Sequence, residues 1–441
     1  MDRDRISQTM STVLTEVVAR AKREPETRLR SMAQHIDVAA LGRAFDRIRS
    51  NAAVGVDGVT KEAYGEDLET NLRDLHERMK AMRYRHQPIR RVHIPKEKGK
   101  TRPIGISCIE DKVVQGALHE LLGLIYEQTF LDCSYGFRPG RSAHDALRAL
   151  DRAIHTDGAS WVLEFDIATF FDSVDRAQLR EMLQLRFADM SLMRLIGKCL
   201  HVGILDGEEF TAPDEGTVQG SALSPTLGNI YLHHVLDLWF EHEVKPCLRG
   251  KSAFVRYADD GVICFERHED AERVMKALGK RLERFGLKLH PDKTRLVDMR
   301  RPPHDQKRGK GTGTLTFLGF TLYWGMSRRG NWTLKQKTRR SKMVRFKRMI
   351  DLWCRRHRHF KVKEQHAALA RRIQGHFTYF GVEGNVRSLE LIEEAAKHSW
   401  HKWLNRRSQR SRMKWERFTD MLGDYPLPQP MARTSLWGST P

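Results

Sequence analysis

A short acidic segment, residues 257–261 (Tyr-Ala-Asp-Asp-Gly), constrains the fold of this chain more than any other stretch. Apolar, β-forming residues flank it on both sides, so the pattern predicts a tight β-hairpin with Asp259 and Asp260 at its turn. Adjacent carboxylates repel each other, and apolar surroundings make both harder to ionise. Divalent cations would relieve both costs because hard cations prefer carboxylate oxygens. The alternative interpretation is a solvated turn that contains two aspartates without a function.

Charge is the second constraint. The 441 residues carry a formal net charge of +21, which predicts a polyanionic partner. Most of the excess lies at one end, since residues 326–441 contain 27 Lys and Arg against nine Asp and Glu. Trp, Phe and Tyr are interleaved with these cations, a mixture that suits phosphate contacts and base stacking. A solvated helical face is the alternative interpretation of the same charges.

The cysteines and the apolar runs exclude several classes of protein. The six cysteines include no Cys-x-x-Cys pair, so the sequence predicts neither a zinc ribbon nor a disulfide framework. The N-terminal segment is charged throughout, and no run approaches the roughly 20 apolar residues of a membrane span. We therefore expect a soluble protein of a reducing compartment, with no membrane partner.

Two further segments carry groups that suit phosphate chemistry. Residues 161–166 predict a short apolar strand that ends in Asp166, where a carboxylate can face a cleft. Residues 89–107 predict two strands joined by a basic turn, whose cations are Lys96, Lys98, Lys100 and Arg102. These cations can neutralise a triphosphate, or they can protect an exposed sheet edge from aggregation. This segment alone does not distinguish the two interpretations.

Apolar spacing elsewhere predicts mainly helices. They extend over residues 8–50, 61–82, 109–128, 143–156, 176–200, 226–242 and 267–285. A strand pair is predicted at 315–324, followed by Arg- and Lys-dense helices over 333–358, 363–380 and 387–405.

Seven motifs occur in order along the chain: IPKEKGKTRPIGI, SYGFRPGRSAHDAL, FDIATFFDSV, VQGSALSPTLGNIYL, RYADDGVICF, LKLHPDKT and FLGF. From about residue 50 to residue 430 the chain therefore resembles the group II intron-encoded reverse transcriptase/maturase family of the bacterial type. The resemblance implies an α+β right-hand polymerase, with fingers and a palm built on an antiparallel sheet, and then an all-α thumb/maturase domain. We expect an N-terminal helical extension and the start of the fingers at 1–85, the fingers and palm at 86–325, and the basic RNA-binding domain at 326–441.

The resemblance also implies site residues. The catalytic residues and metal ligands would be Asp166, Asp259 and Asp260, holding two Mg²⁺ ions about 4 Å apart that assist attack by a 3′-hydroxyl, with Mn²⁺ as a substitute. The implied nucleotide-binding residues are Lys96, Arg102, Phe171, Gln219 and Gly220, with the Phe171 ring excluding a 2′-hydroxyl. Val218 departs from the proline of many relatives. The implied nucleic-acid-binding residues are Arg138, Arg141, Lys293, Arg406 and Arg407.

On this resemblance we expect an RNA-directed DNA polymerase that copies an RNA template into cDNA from a DNA primer and dNTPs. Binding of its structured intron RNA would assist splicing and retrohoming of a mobile element. The alternatives are a domesticated relative in phage defence, DNA repair or a CRISPR-associated system, and a maturase without polymerase activity, which the intact acidic triad argues against. We expect the HNH endonuclease of many relatives to be lacking and the location to be the bacterial cytosol or nucleoid. The sequence does not indicate the oligomeric state.

Overall fold

The computed structural model describes residues 12–95, 101–206, 209–211, 215–217, 219–303, 313–327, 329–408 and 412–435. Of the predicted site residues, Lys96 lies outside these ranges, as do its neighbours Lys98 and Lys100 and the variant position Val218. Helices and sheets are mixed along the chain, which confirms the α+β class. Among the described helices, none combines the length and the apolar character that a membrane span requires.

The N-terminal region is helical but interrupted. Its helices are α1 Thr12–Arg23, α2 Val38–Arg47, α3 Lys61–Glu66 and α4 Leu68–Lys80. The prediction of helix throughout 8–50 is wrong in the middle, where Leu29 instead pairs with Phe187 in a parallel bridge. Helix α2 restarts at its own cap, because the Asp37 side chain accepts a hydrogen bond from Ala40 N at 2.8 Å.

The central region contains two four-stranded sheets and the helices that cover them. Its elements are β1 Ile89–Pro95, β2 Thr101–Ile106, α5 Ile109–Tyr126, α6 Ala143–Asp151, β3 Trp161–Asp166, α7 Arg176–Arg186, α8 Met190–Leu200, β4 Ile204–Asp206, β5 Glu209–Thr211, α9 Ser224–Leu232, β6 Ser252–Tyr257, β7 Asp260–Phe265, α10 His268–Arg284 and β8 Arg295–Asp298. The first sheet has the order β2-β1-β4-β5, with β1 and β4 parallel. The second has the order β6-β7-β3-β8 and is antiparallel throughout, as the resemblance implies for a palm.

The C-terminal region begins with a third sheet. Its elements are β9 Thr314–Phe317, β10 Phe320–Met326, β11 Trp332–Thr338, α11 Arg340–Arg356, α12 Val362–Phe380, α13 Val386–Leu404 and α14 Trp415–Asp424. The helix predicted over 333–358 is wrong at its start, because β11 pairs with β10 along its whole length. Alternate residues Trp332, Leu334 and Gln336 are buried, which is the period of a strand. The region after residue 326 is therefore not all-α.

The β6-β7-β3-β8 sheet separates two hydrophobic cores. On β3, Leu163 and Phe165 belong to the core that contains the N-terminal helices, α5 and α9. Val162, on the opposite face, belongs to the core that contains the third sheet and the C-terminal helices. Both faces of this sheet are therefore covered by packed side chains.

Candidate active site

Two neighbouring strands bring the three predicted acids together. β3 ends at Asp166, and the antiparallel register places Asp166 directly opposite Asp260, the first residue of β7. Tyr257, the last residue of β6, also pairs with Asp260, so Ala258 and Asp259 form a two-residue turn. The structure thus contains both the acidic hairpin and the strand-end carboxylate at one edge of the sheet.

The turn is tight and closely packed. Ala258 has φ +57°, a left-handed conformation that is uncommon for a residue with a side chain. Gly136, on the loop after α5, lies against this turn, and a β-carbon on it would be 2.5 Å from the amide nitrogen of Ala258. Only glycine fits such a contact without displacing the turn.

Desolvation and neighbouring negative charges disfavour ionisation of Asp259 and Asp260. Burial raises the pKa of Asp259, and the negative charge of Asp166 raises it further. The pKa of Asp260 rises to about 7, first through desolvation and then through the charges of Asp259 and Asp166. Lys293 and Arg102 act in the opposite direction on the pKa of Asp259. Clustered oxygen donors that repel one another suit a hard divalent cation.

The acids are not, however, assembled as a finished metal cluster. Within the described ranges, no group of three or more His, Cys, Asp or Glu side chains is arranged to hold a metal ion. Instead, Oδ2 of Asp166 forms an ion pair with Nζ of Lys293. The donor chemistry fits a divalent cation, and binding would require Asp166 to exchange the ammonium group for it. The assignment of these ligands therefore stays a prediction.

The segment that follows α10 fixes Lys293 beside β3. Ile167 forms an antiparallel bridge with Leu289, and the backbone nitrogen of His290 donates to the carbonyl of Asp166 at 2.8 Å. Lys293 is about half exposed, with 54% of its side chain open to solvent, whereas the Asp166 side chain is 10% exposed. The ammonium group can therefore also meet a phosphate, which leaves its predicted nucleic-acid contact open.

The predicted nucleotide-binding residues of β2 and the 219–220 loop lie together. The backbone nitrogen of Gly105 donates to the carbonyl of Gln219 at 2.7 Å. Gly220 has φ +112°, and a β-carbon on it would be 2.5 Å from the Gly105 carbonyl oxygen. Arg102 is exposed on the same strand. The loop of Gln219 is therefore joined to β2, and the positive charge of Arg102 on that strand lowers the pKa of Asp259.

Phe171 lies on a 3₁₀ turn, Phe170–Asp172, shortly after Asp166. Phe170 is buried and Phe171 is partly buried, with their ring centroids 5.2 Å apart. The carbonyl of Phe171 accepts a hydrogen bond from Thr217 N at 2.6 Å, which connects this turn to the loop that carries Gln219. The ring is thus held by its neighbours, while its role as a sugar gate stays a prediction.

Arg138 does not have the environment of a nucleic-acid contact. Its side chain is 3% exposed, and it forms a bidentate ion pair with Glu127 at 3.0 and 2.8 Å. Three further hydrogen bonds go to the carbonyls of Phe130, Leu131 and Ser134. All five N–H donors are used inside the protein, which favours a structural role, and the nucleic-acid contact stays a prediction.

Arg141 is more exposed than Arg138 but is also bonded within the protein. It bonds to Asp132 Oδ1 at 2.5 Å, and its guanidinium carbon lies 5.3 Å from the Tyr135 ring centroid. With 23% of its side chain exposed, part of the group faces solvent. Its predicted template contact remains open.

Arg406 and Arg407 differ in exposure and in their hydrogen-bond partners. Arg406 is exposed and stacks over Trp403, with 5.3 Å between the guanidinium carbon and the ring centroid. Arg407 donates to the carbonyls of Arg358 and Phe360, both at 2.6 Å, and so holds the loop between α11 and α12. Arg406 is thus the more exposed of the two, and the predicted RNA contacts of both stay predictions.

Two residues near the site were not predicted. Phe137 follows Gly136, is 55% exposed, and has φ +58°, which is strained for an aromatic residue. Arg256 is fully buried two residues before the turn. A signal for Arg256 exists in the sequence, since it is the one charged residue of an otherwise apolar strand pattern.

Comparisons with known proteins agree with this geometry. Residues 94–322, slightly more than half of the chain, match the family model described as reverse transcriptase (RNA-dependent DNA polymerase). Protein YkfC of Escherichia coli K12 is 33% identical over 274 residues, which cover 55% of this chain and 71% of YkfC.

Two relatives are encoded in introns according to their names. The group II intron-encoded protein LtrA of Lactococcus lactis is 37% identical over 240 residues, which cover 54% of this chain and 38% of LtrA. The uncharacterized 91 kDa protein in cob intron of Schizosaccharomyces pombe is 35% identical over 199 residues, covering 45% of this chain and 24% of that protein. The chain thus matches well under half the length of these two relatives.

Proposed function

The chain belongs to the reverse transcriptase (RNA-dependent DNA polymerase) family, and from that membership we propose that it copies an RNA template into cDNA at the Asp166, Asp259 and Asp260 site. The observation that most directly supports this site is the β3–β7 register, which sets Asp166 opposite Asp260 with Asp259 in the adjoining turn. The similarity to LtrA agrees with the group II intron resemblance of the motifs.

We propose that the three carboxylates hold two Mg²⁺ ions, for which Mn²⁺ can substitute. When bound, such ions stabilise the attacking and the leaving oxygens of an in-line displacement at phosphorus. The chain itself presents the oxygens from two paired strands and one turn, which limits their relative motion. The positive charge of Lys293 balances the negative charge of Asp166, and the charge of Arg102 lowers the pKa of Asp259.

The incoming dNTP would lie between β2 and the 3₁₀ turn. In this proposal Arg102, together with Lys96, neutralises the triphosphate, and Gln219 and Gly220 lie against the nucleotide. Phe171 lies beneath the sugar, where a ring held by Phe170 excludes a 2′-hydroxyl. Two backbone hydrogen bonds support the proposal, because Gly105 N to Gln219 O joins the loop of Gln219 to β2, and Thr217 N to Phe171 O joins the same loop to the 3₁₀ turn.

Polynucleotide binding is the proposed role of the basic C-terminal region. We propose a right-hand arrangement in which residues 326–441 form the thumb/maturase part and grip structured intron RNA, assisting splicing and retrohoming in the cytosol. Exposed Arg406, stacked on Trp403, supports this proposal together with the positive charge of the region. The names of LtrA and of the cob-intron protein favour an intron-associated role over a domesticated one.

Primer extension tests the polymerase proposal. With poly(rA)/oligo(dT), dTTP and Mg²⁺, the wild-type chain should extend the primer, and Asp259→Ala should not. Asp420→Ala, which removes an exposed carboxylate on α14, is the matched control and should extend normally. An inactive wild-type chain would refute the polymerase proposal, whereas an active Asp259→Ala variant would refute the assigned site.

Splicing of the flanking intron RNA tests the maturase proposal separately. Addition of the wild-type chain should accelerate splicing at low Mg²⁺, and Asp259→Ala should do so equally because RNA binding does not need the polymerase site. A wild-type chain that extends primers but leaves the splicing rate unchanged would refute the maturase role alone.

A further inference from the structure

Arg256 is a fully buried charged group beside the acidic turn. Its side chain is 0% exposed, and so is that of its partner Asp237. The guanidinium group donates to both carboxylate oxygens of Asp237, at 2.7 and 2.6 Å. A buried ion pair contributes little more stability than apolar side chains of similar volume, so stability alone does not account for this pair.

The remaining donors of Arg256 connect three separate parts of the chain. One hydrogen bond of 3.0 Å goes to the carbonyl of Ala258, the first residue of the acidic turn. Others go to Asn229 Oδ1 at 3.0 Å and to Ser134 Oγ at 2.8 Å. With the two bonds to Asp237, all five N–H donors are used, and the turn is one of the acceptors.

The helix that supplies Asn229 and Asp237 has the local geometry to reach Arg256 twice. In a regular α-helix, two residues eight positions apart point about 80° away from each other. Helix α9, however, continues as a π-helical turn at His233–Asp237, which contains more residues per turn. The wider turn brings Asn229 and Asp237 to the same side of the helix. Such π-turns are frequent at functional sites.

The loop at 133–138 also packs against the acidic turn, and it is bound to Arg256 and Asn229. The backbone of Arg256 pairs with this loop through Cys133 O at 2.7 Å and Tyr135 N at 2.8 Å. Asn229 Nδ2 also donates to the carbonyl of Gly136 at 2.7 Å. Gly136 is the residue that packs directly against the backbone of the turn. Arg256 and Gly136 therefore both restrict the turn, one at the carbonyl of Ala258 and the other at its amide nitrogen.

We propose that Arg256 is a positioning residue. It fixes the position of the Ala258–Asp259 turn relative to Asp166, and through that position the affinity of the site for divalent cations. This inference rests on the proposed function of the three acids. Arg256 acts only through its hydrogen bond to Ala258 and through Asn229, and it touches neither substrate nor metal. A shorter reach, as in Arg256→Lys, would keep the positive charge opposite Asp237 but lose the fork that reaches the turn.

The test compares Arg256→Lys with a buried arginine that has no link to the site. Arg186→Lys is the matched control, because Arg186 is buried and donates to the carbonyls of Ala21, Glu24 and Thr27 near the N-terminus. Both variants are measured by thermal unfolding, by kcat and KM for dTTP, and by the Mn²⁺ dissociation constant from electron paramagnetic resonance with primer–template bound.

For Arg256→Lys we expect the Mn²⁺ dissociation constant to rise and kcat to fall by about 10–100-fold, with KM for dTTP little changed. Arg186→Lys should lower the melting temperature while leaving the Mn²⁺ affinity and the kcat of the folded fraction as in the wild type. If Arg256→Lys does not fold, Asn229→Ala is judged by the same criteria, since it cuts the link between Arg256 and Gly136.

Two results would overturn the proposal: wild-type Mn²⁺ affinity and kcat in the folded variant, or losses that Arg186→Lys reproduces. Failure of the proposed function is recognised separately, because then the wild-type chain itself would extend no primer.

Discussion

Lys293 forms an ion pair with Asp166, the strand-end carboxylate of the candidate metal site. The ammonium group therefore competes with any cation for the same oxygen. We expect Lys293→Met to bind Mn²⁺ more tightly in the absence of nucleotide, by a factor of about 2–10, because one nearby positive charge is removed. Titration of Mn²⁺ by electron paramagnetic resonance measures this, with Lys280→Met on α10 as the control. Weaker Mn²⁺ binding in Lys293→Met would show that the lysine supports the metal site rather than competing for it.

Phe171 should set the preference for deoxyribonucleotides. Removal of the ring in Phe171→Ala opens space for a 2′-hydroxyl, so we expect the ratio of kcat/KM for dTTP over UTP to fall about tenfold or more. The Phe171 carbonyl still accepts the hydrogen bond from Thr217 in this variant, because the backbone is retained. Phe171→Tyr, which keeps the ring, is the control. An unchanged ratio in Phe171→Ala would remove the residue from the gate role.

Phe137 is an exposed aromatic residue in a strained conformation beside the acidic turn. We expect it to stack on a base of the bound duplex, so that Phe137→Asn weakens primer–template binding by about 1–3 kcal/mol. Asparagine tolerates the left-handed conformation, so the variant removes the ring without adding strain. Phe137→Tyr should bind normally. Equal affinity of all three proteins by fluorescence anisotropy would refute the stacking contact.

Arg406 and Arg407 should separate into a binding and a structural residue. We expect Arg406→Ala to weaken RNA binding and to reduce the slope of log Kd against log salt by about one unit. Arg407→Ala should mainly lower the melting temperature, because Arg407 holds the carbonyls of Arg358 and Phe360. Filter binding at several salt concentrations and thermal unfolding measure the two effects. Identical salt slopes for the wild type and Arg406→Ala would show that Arg406 is solvated surface.

Asp151 should make the stability of the protein depend on pH. Burial raises the pKa of Asp151 to about 7, well above its unfolded value of about 3.9. The folded state therefore binds the proton more tightly, so the stability contributed by this group is complete below pH 4 and is lost as the pH rises through 7. We expect Asp151→Asn to raise the melting temperature at pH 8 more than at pH 5. Asp420→Asn is the exposed control, and equal shifts at the two pH values would contradict this assignment.

The three acids of the candidate site could be predicted because each one lies at the end of an apolar, strand-like run of sequence. Asp259 and Asp260 lie at a turn between two apolar strands, and Asp166 ends a third. The hairpin, the strand end and most of the helices follow from short-range periodicity. The strand at Trp332–Thr338 could not be predicted, because its Arg- and Lys-rich surroundings favour helix and only pairing with β10 makes it a strand.

Local patterns in the sequence thus predict which acids the hairpin and the strand carry, which motifs surround them, and which end of the chain carries the positive charge. The exposure of each cation, in contrast, depends on how the chain folds. The sequence predicts Arg138 as a nucleic-acid contact and shows Arg256 as a single cation in an apolar strand, yet both side chains are buried and paired with carboxylates elsewhere in the chain, Glu127 and Asp237. The physical reason is that the burial of a charge depends on partners brought together by folding, and no local pattern contains that information.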